Sequence, residues 1–430
     1  MNLQEKDQKY LWHPYTHQKS MMPAVPIIKG KKALLIDEDG NEYIDAVSSW
    51  WVNIHGHGNK FIAKKIYEQA KKLQQVIFTR FTHEPAVLLA EKLLKVLPGN
   101  FAKVFYTDDG STATEVAIKM AIQYSGNVGD HKRKKILAFH NSYHGDTFGA
   151  MSVSERGIYT SAFQDKLFDV IFIDTPNGKN IGQLKNEIEK YKDEIVCFIY
   201  EPLLQGAGGM LMYPSKDLND LLFYLKKENI ICIADEVLTG FYRLGKFFAG
   251  DYMEQKADII CLSKALTGGT MALGVTACTQ KIYEAFVSDD KTKTLFHGHS
   301  FTANPLACAA ALASFELIQK KECLKGVENI IAHHQKFFKK LEVFQKKKYI
   351  KNVRQTGTIL AFEICTTDKD DYLNNVSKEF TPFSMKRGVF LRSMGNTLYV
   401  MPPYCITSKE LKKVYQVIIQ FIEKCGSENN

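Results

Sequence analysis

Lys264 closes a short apolar run, DIICLS (258–263), and leads into a glycine-bearing turn, ALTGG. A lysine at the carboxyl end of a buried strand presents its amine at the mouth of a sheet, where open α/β folds bind ligands. Asp235 ends a second run of this kind, IICIA (230–234), and a carboxylate so placed needs something cationic opposite it. Its neighbour Glu236 is read as a surface residue. In TDDGSTATEVAIKMA (107–121), Gly110 and Ser111 open a helix after a strand. Free backbone N–H groups, a hydroxyl and the positive end of the dipole make that turn a phosphate site, although Ser and Thr also serve as ordinary caps. HNSYHGDTFGAMS (140–152) offers Tyr143 to lie flat on a planar ligand, with His144 and Asp146 in structural roles.

These groups need a scaffold that gathers strand ends. KVFY (103–106), KILAF (135–139), DVIFI (169–173), IVCFIY (195–200), IICIA (230–234), DIICLS (258–263) and GVTACT (274–279) read as strands. Amphipathic helices such as STATEVAIKMAIQY (111–124) lie between them, which predicts an α/β fold with a mostly parallel sheet covered on both faces. Ahead of this block, KKALLIDEDGNEYIDA (31–46) is a hairpin around an Asp-Gly turn. Beyond about residue 305 the chain turns helical, then mixed, and closes on an amphipathic helix over 409–424. The expected division is a large domain over 61–305 and a small α+β domain from 1–60 and 306–430.

Several other chemistries fit poorly. The formal charge of +9 is mild for 430 residues, and lysine-rich KKLEVFQKKKYIKN (339–352) reads as a solvated helix face, not a nucleic-acid surface. No apolar run is long enough to span a membrane, and the amino terminus lacks the apolar core of a signal peptide. Nine scattered cysteines without a CxxC pair point to reduced thiols in a cytoplasmic protein. Gly240–Lys246 has the spacing of a phosphate-binding loop, but Phe247 stands where the magnesium-binding hydroxyl belongs. His55/His57 and His297/His299 lack a carboxylate or cysteine at ligand spacing, so no metal is expected.

Together the lysine, the aspartate, the anion site and the tyrosine meet the needs of pyridoxal 5'-phosphate: an amine for its aldehyde, an acid against its ring nitrogen and donors for its phosphate. ADEVLTGFYRLGKFFA, followed by SKALTGG, resembles the signature of class III (omega) aminotransferases. The likeness runs from LWHPYT (11–16) to LYVMPPY (398–404) and implies the type I pyridoxal-phosphate fold. SSWWVNIHGHGN (48–59), THEPA (82–86), SYHGDTFGAMSV (142–153), EPLLQGAGGM (201–210) and ALTGGTMALG (265–274) are similar to one branch. Its members convert 8-amino-7-oxononanoate to 7,8-diaminononanoate in biotin biosynthesis.

The resemblance implies roles. Lys264 would bear the cofactor and shuttle protons; Asp235 would keep the ring nitrogen protonated; Gly110 and Ser111 would hold the phosphate. Tyr143 would stack on the ring, and Ser300 would complete the phosphate site from the second subunit of a homodimer. Tyr15, Trp50 and Gly298 would shape the substrate pocket, and Arg392 would pair with the acceptor's carboxylate, helped by Tyr399. Trp51 is read as core packing. Ala207 stands where several class III enzymes carry a glutamate against that arginine. S-Adenosylmethionine is the donor the resemblance favours, with lysine as the alternative. His299, Thr302, Tyr242 and Leu244 depart from the pattern near the pocket. The rival is another omega-aminotransferase of the class.

Overall fold

The computed structural model describes residues 1–366, 374 and 376–428. Near the amino terminus, β1 (Ile27–Lys31), β2 (Leu34–Asp37) and β3 (Glu42–Asp45) form an antiparallel ribbon. The β2–β3 turn forms where expected, because the Asp37 carboxylate accepts the backbone N–H of Asn41 and the Tyr43 hydroxyl, both at 2.8 Å.

The central block holds β4 (Phe101–Thr107), β5 (Lys135–Phe139), β6 (Val170–Ile173) and β7 (Ile195–Tyr200). A minimal hairpin, β8 (Leu204–Gln205) and β9 (Leu211–Met212), precedes β10 (Ile231–Asp235), β11 (Ile259–Leu262) and β12 (Gly274–Thr279). Seven of these make one sheet in the order β4-β12-β11-β10-β7-β5-β6. It is parallel from β11 to β6, and β12 runs antiparallel to both its neighbours. Every residue of β7, β10 and β11 is buried, which is why these strands read as unbroken apolar runs. The run at 258–263 is longer than its strand: Asp258 instead accepts the N–H of Cys232 at 2.9 Å and pins β10 beside β11.

Downstream, β13 (Ile350–Thr356) and β14 (Ile359–Ile364) precede β15 (Val389–Phe390), β16 (Ser393–Met394) and β17 (Thr397–Val400). β13, β14, β17 and β16 form a second sheet, whereas β15 pairs in parallel with β3, Val389 opposite Ile44. Strand pairing thereby joins the two ends of the chain. The alanine-rich helix Pro305–Ile318 is capped by Asn304, whose side chain accepts from Leu306 and Ala307. Its small residues let it lie close behind the Lys264 turn, where Ser314 Oγ donates to the Ala265 carbonyl at 3.3 Å.

Glu236 corrects one expectation. It is fully buried, and its carboxyl accepts N–H bonds from Ala249 and Gly250, each at 2.7 Å. Burial pushes its pKa up to about 7. Among the described residues no helix is long and apolar enough to cross a membrane.

Candidate active site

A cavity of about 620 Å³ opens at the carboxyl ends of β7, β10 and β11, within the range of small-molecule sites. Lys264, Asp235, Gly110, Ser111, Tyr143, Tyr15, Trp50 and Arg392 all line it.

Lys264 begins the turn after β11 with φ +46°, a left-handed conformation rare for a lysine and typical of residues held for function. The residue is partly exposed because it opens onto the cavity, but its Nζ sits over the Trp51 ring, 4.9 Å from the centroid. Desolvation pushes the amine below the ordinary lysine pKa; Asp235 and Glu201 pull the other way. It makes no ion pair within the described residues.

Asp235 is buried, and its side-chain partner is a residue that the sequence alone reads as structural. His144 Nδ1 and Asp235 Oδ2 share a hydrogen bond of 2.7 Å, and Val237 donates its N–H to Oδ1 at 3.0 Å. One strand over, Glu201 is also buried and also lines the cavity.

Gly110 starts the helix Gly110–Asn127, capped by a reciprocal pair: Thr112 N–H to Asp109 Oδ1 at 2.7 Å, and Asp109 N–H to Thr112 Oγ1 at 3.1 Å. The acid at this turn is therefore engaged with the helix itself. A Cβ at Gly110 would stand 2.8 Å from Val237 Cγ1, and one at Gly145, where φ is +133°, would strike Ser111 Oγ. Both glycines keep the helix start open to the cavity.

At the mouth, Tyr143 donates to Asp146 Oδ2 at 2.8 Å, Tyr15 donates to the same oxygen, and the two hydroxyls are 3.2 Å apart. Asp146 thus positions both rings, a part the sequence reading did not give it. Tyr15 meets Trp50 edge-on at 5.7 Å, and the Arg392 guanidinium lies 5.0 Å from the Trp50 centroid. No carboxylate of the described residues pairs with Arg392, and Ala207 lines the same cavity.

Trp51 does more than pack. Ser48, Ser49 and Trp51 all have positive φ, which turns both tryptophans toward the cavity, and the Ser49 N–H is held by Asp45 at 2.8 Å. Trp51 Nε1 donates to Tyr399 at 3.0 Å, so the buried Tyr399 braces Trp51 from behind and does not line the cavity beside Arg392. Arg243, also missed, is fully buried and donates to the carbonyls of Trp51 at 3.2 Å and Pro402 at 3.1 Å. Gly298 and Ser300 are exposed, and neither lines this cavity in its own chain. The histidine pairs are apart from the site: His55 bonds Ser314 and His57 bonds Asp45. No three potential metal ligands converge among the described residues.

A profile of the aminotransferase class-III family matches residues 15–422. The chain belongs to this family. A relative from Synechococcus elongatus, named adenosylmethionine-8-amino-7-oxononanoate aminotransferase, is 42% identical over 96% of this chain and 99% of its own. A protein of the same name from Staphylococcus aureus is 35% identical, with 96% of each chain covered. The crystal structure of a third, from Methanocaldococcus jannaschii, superposes with a TM-score of 0.93 at 34% identity, covering 98% of both chains. This aminotransferase uses pyridoxal phosphate, and its cavity suits that group: an unpaired desolvated amine, a buried acid, a ring-bearing wall and an open helix start.

Proposed function

We propose that this aminotransferase converts 8-amino-7-oxononanoate to 7,8-diaminononanoate, with S-adenosylmethionine as amino donor, in biotin biosynthesis. The observation that carries the reading is Arg392: a guanidinium 5.0 Å from the Trp50 ring that no carboxylate of the described residues pairs with, in a cavity that Ala207 also lines. It suits an acceptor with one terminal carboxylate at the end of an apolar stem, because a guanidinium grips a carboxylate with two parallel hydrogen bonds. Relatives named for this reaction across nearly the whole chain support the same choice.

Pyridoxal phosphate, when bound, supplies the electron sink that lets an amine leave one substrate and join another. Lys264 would hold it covalently and move the proton between substrate and cofactor carbons. Asp235, itself oriented by His144, would keep a proton on the ring nitrogen. Gly110 and Ser111 would hold the phosphate and Tyr143 the ring face, while Tyr15 and Trp50 line the acceptor's stem. Gly298 and Ser300 would serve the cavity of a second copy in a homodimer. The exposure of Phe296 and Phe301 on the same segment supports that assignment.

The test supplies the full-length protein with 8-amino-7-oxononanoate and either S-adenosylmethionine or lysine, and measures the diamine by mass spectrometry. Diamine formed with S-adenosylmethionine is the expected result. Formation with lysine alone would reassign the donor, and no diamine with either would overturn the reading.

A further inference from the structure

Glu201 directly follows β7, and Asp235 ends the neighbouring β10. The register sets Tyr200 opposite Ala234, so the two acids stand side by side at adjacent strand ends. Asp235 has His144 as its partner. No cation of the described residues pairs with Glu201: one oxygen accepts the N–H of Tyr143 at 3.0 Å and the other that of Gly206 at 2.8 Å. Across the cavity these two bonds join the segment that carries the tyrosine to the segment that carries Ala207. Tyr213 donates its hydroxyl to the Glu201 carbonyl and fixes the backbone.

A buried carboxyl without a cation favours its neutral form. Burial pushes Glu201 up to about 7; His144 opposes, the negative Asp235 adds to the rise, and the two N–H donors oppose. The charge on Glu201 is felt in turn by Lys264, where desolvation lowers the pKa, Asp235 and then Glu201 raise it, and Arg243 lowers it.

We infer that Glu201 is a positioning residue for the Lys264 site: beside Asp235 in the cavity onto which Lys264 opens, it ties the Tyr143 segment to the Gly206–Ala207 segment and adds to Asp235 a second carboxylate that helps hold the proton on the amine. This rests on reading Lys264 as the cofactor-bearing residue.

The experiment uses the full-length chain freed of cofactor and follows the rate at which it captures added pyridoxal phosphate covalently, between pH 6 and pH 10. Capture needs the uncharged amine. In Glu201→Gln the amine loses a negative neighbour, so capture near pH 8 should be about three to ten times faster than in wild type. Near pH 6, where wild-type Glu201 is itself neutral, the two rates should converge. In the wild type alone, the rise of rate with pH should flatten around pH 7 as Glu201 ionises. A purely structural role predicts a ratio that does not vary with pH. A constant ratio, or a wild-type profile with a single ionisation, overturns the inference. Wild type that captures nothing covalently overturns the reading of Lys264 and this inference with it.

Discussion

His144 and Asp235 form a hydrogen-bonded pair of 2.7 Å, the histidine side chain fully sealed from solvent and the aspartate nearly so. The second ring nitrogen of His144 is buried without a partner among the described residues. Removing His144 leaves Asp235 buried with the Val237 N–H as its one remaining bond of the two. His144→Phe should therefore lower stability by about 2–3 kcal/mol, read from urea denaturation. An unchanged midpoint would mean that the backbone N–H of Val237 satisfies Asp235 alone. Asp235→Asn should weaken cofactor binding by roughly 1.5–3 kcal/mol and abolish most activity, because a neutral amide lacks the charge that favours a protonated ring nitrogen.

Lys264→Ala should leave a folded protein that still holds the cofactor noncovalently, since the helix start and the ring wall do not depend on the amine. Turnover should fall by more than the roughly 10²–10⁴-fold that acid–base catalysis alone supplies. Multiple turnover by this variant, without added amine, would remove Lys264 from the reaction.

Glu236 makes a pH prediction independent of catalysis. In the fold its carboxyl keeps its proton up to about 7, whereas an ordinary glutamic acid ionises near 4.5. Between those values the folded state holds a proton that the unfolded state has released. Its contribution to stability is therefore complete below 4.5 and lost as pH rises through 7. Comparing wild type with Glu236→Gln at pH 5 and pH 8, the stability difference should shift against wild type by up to about 3 kcal/mol. Equal differences at both pH values would show that the N–H donors of Ala249 and Gly250 hold it ionised.

The legible part of the molecule was its sheet. Strands buried on both faces leave apolar runs, and Lys264 and Asp235 stood out because each charge ends such a run. Register was not legible, so the pairing that sets Glu201 beside Asp235 could not be read. Nor could His144 be matched to Asp235, 91 residues away. The floor of the site was hidden for a different reason. Trp51 faces Lys264 only because three residues without glycine's freedom take left-handed turns at Ser48, Ser49 and Trp51, and composition carries no trace of that. The SSWW segment offered a signal only through its resemblance, and the lone fully buried arginine, Arg243, offered none.

Tyr399 tests that floor. Tyr399→Phe takes the acceptor from Trp51 Nε1 and should destabilise the protein by about 1–3 kcal/mol. Tryptophan emission should change with it; unchanged stability would show that Trp51 does not need the brace.

The claim that most defines this enzyme is that Arg392 receives the carboxylate of 8-amino-7-oxononanoate. The direct measurement is the acceptor half-reaction: protein carrying the amino form of its cofactor is mixed with 8-amino-7-oxononanoate, and the return of the aldehyde form is followed by absorbance. Wild type should react, and Arg392→Ala should need about ten to a hundred times more acceptor, a loss of roughly 1.5–3 kcal/mol that Arg392→Lys does not restore. A wild-type protein that ignores this acceptor, or an alanine variant with an unchanged half-reaction, would contradict the account.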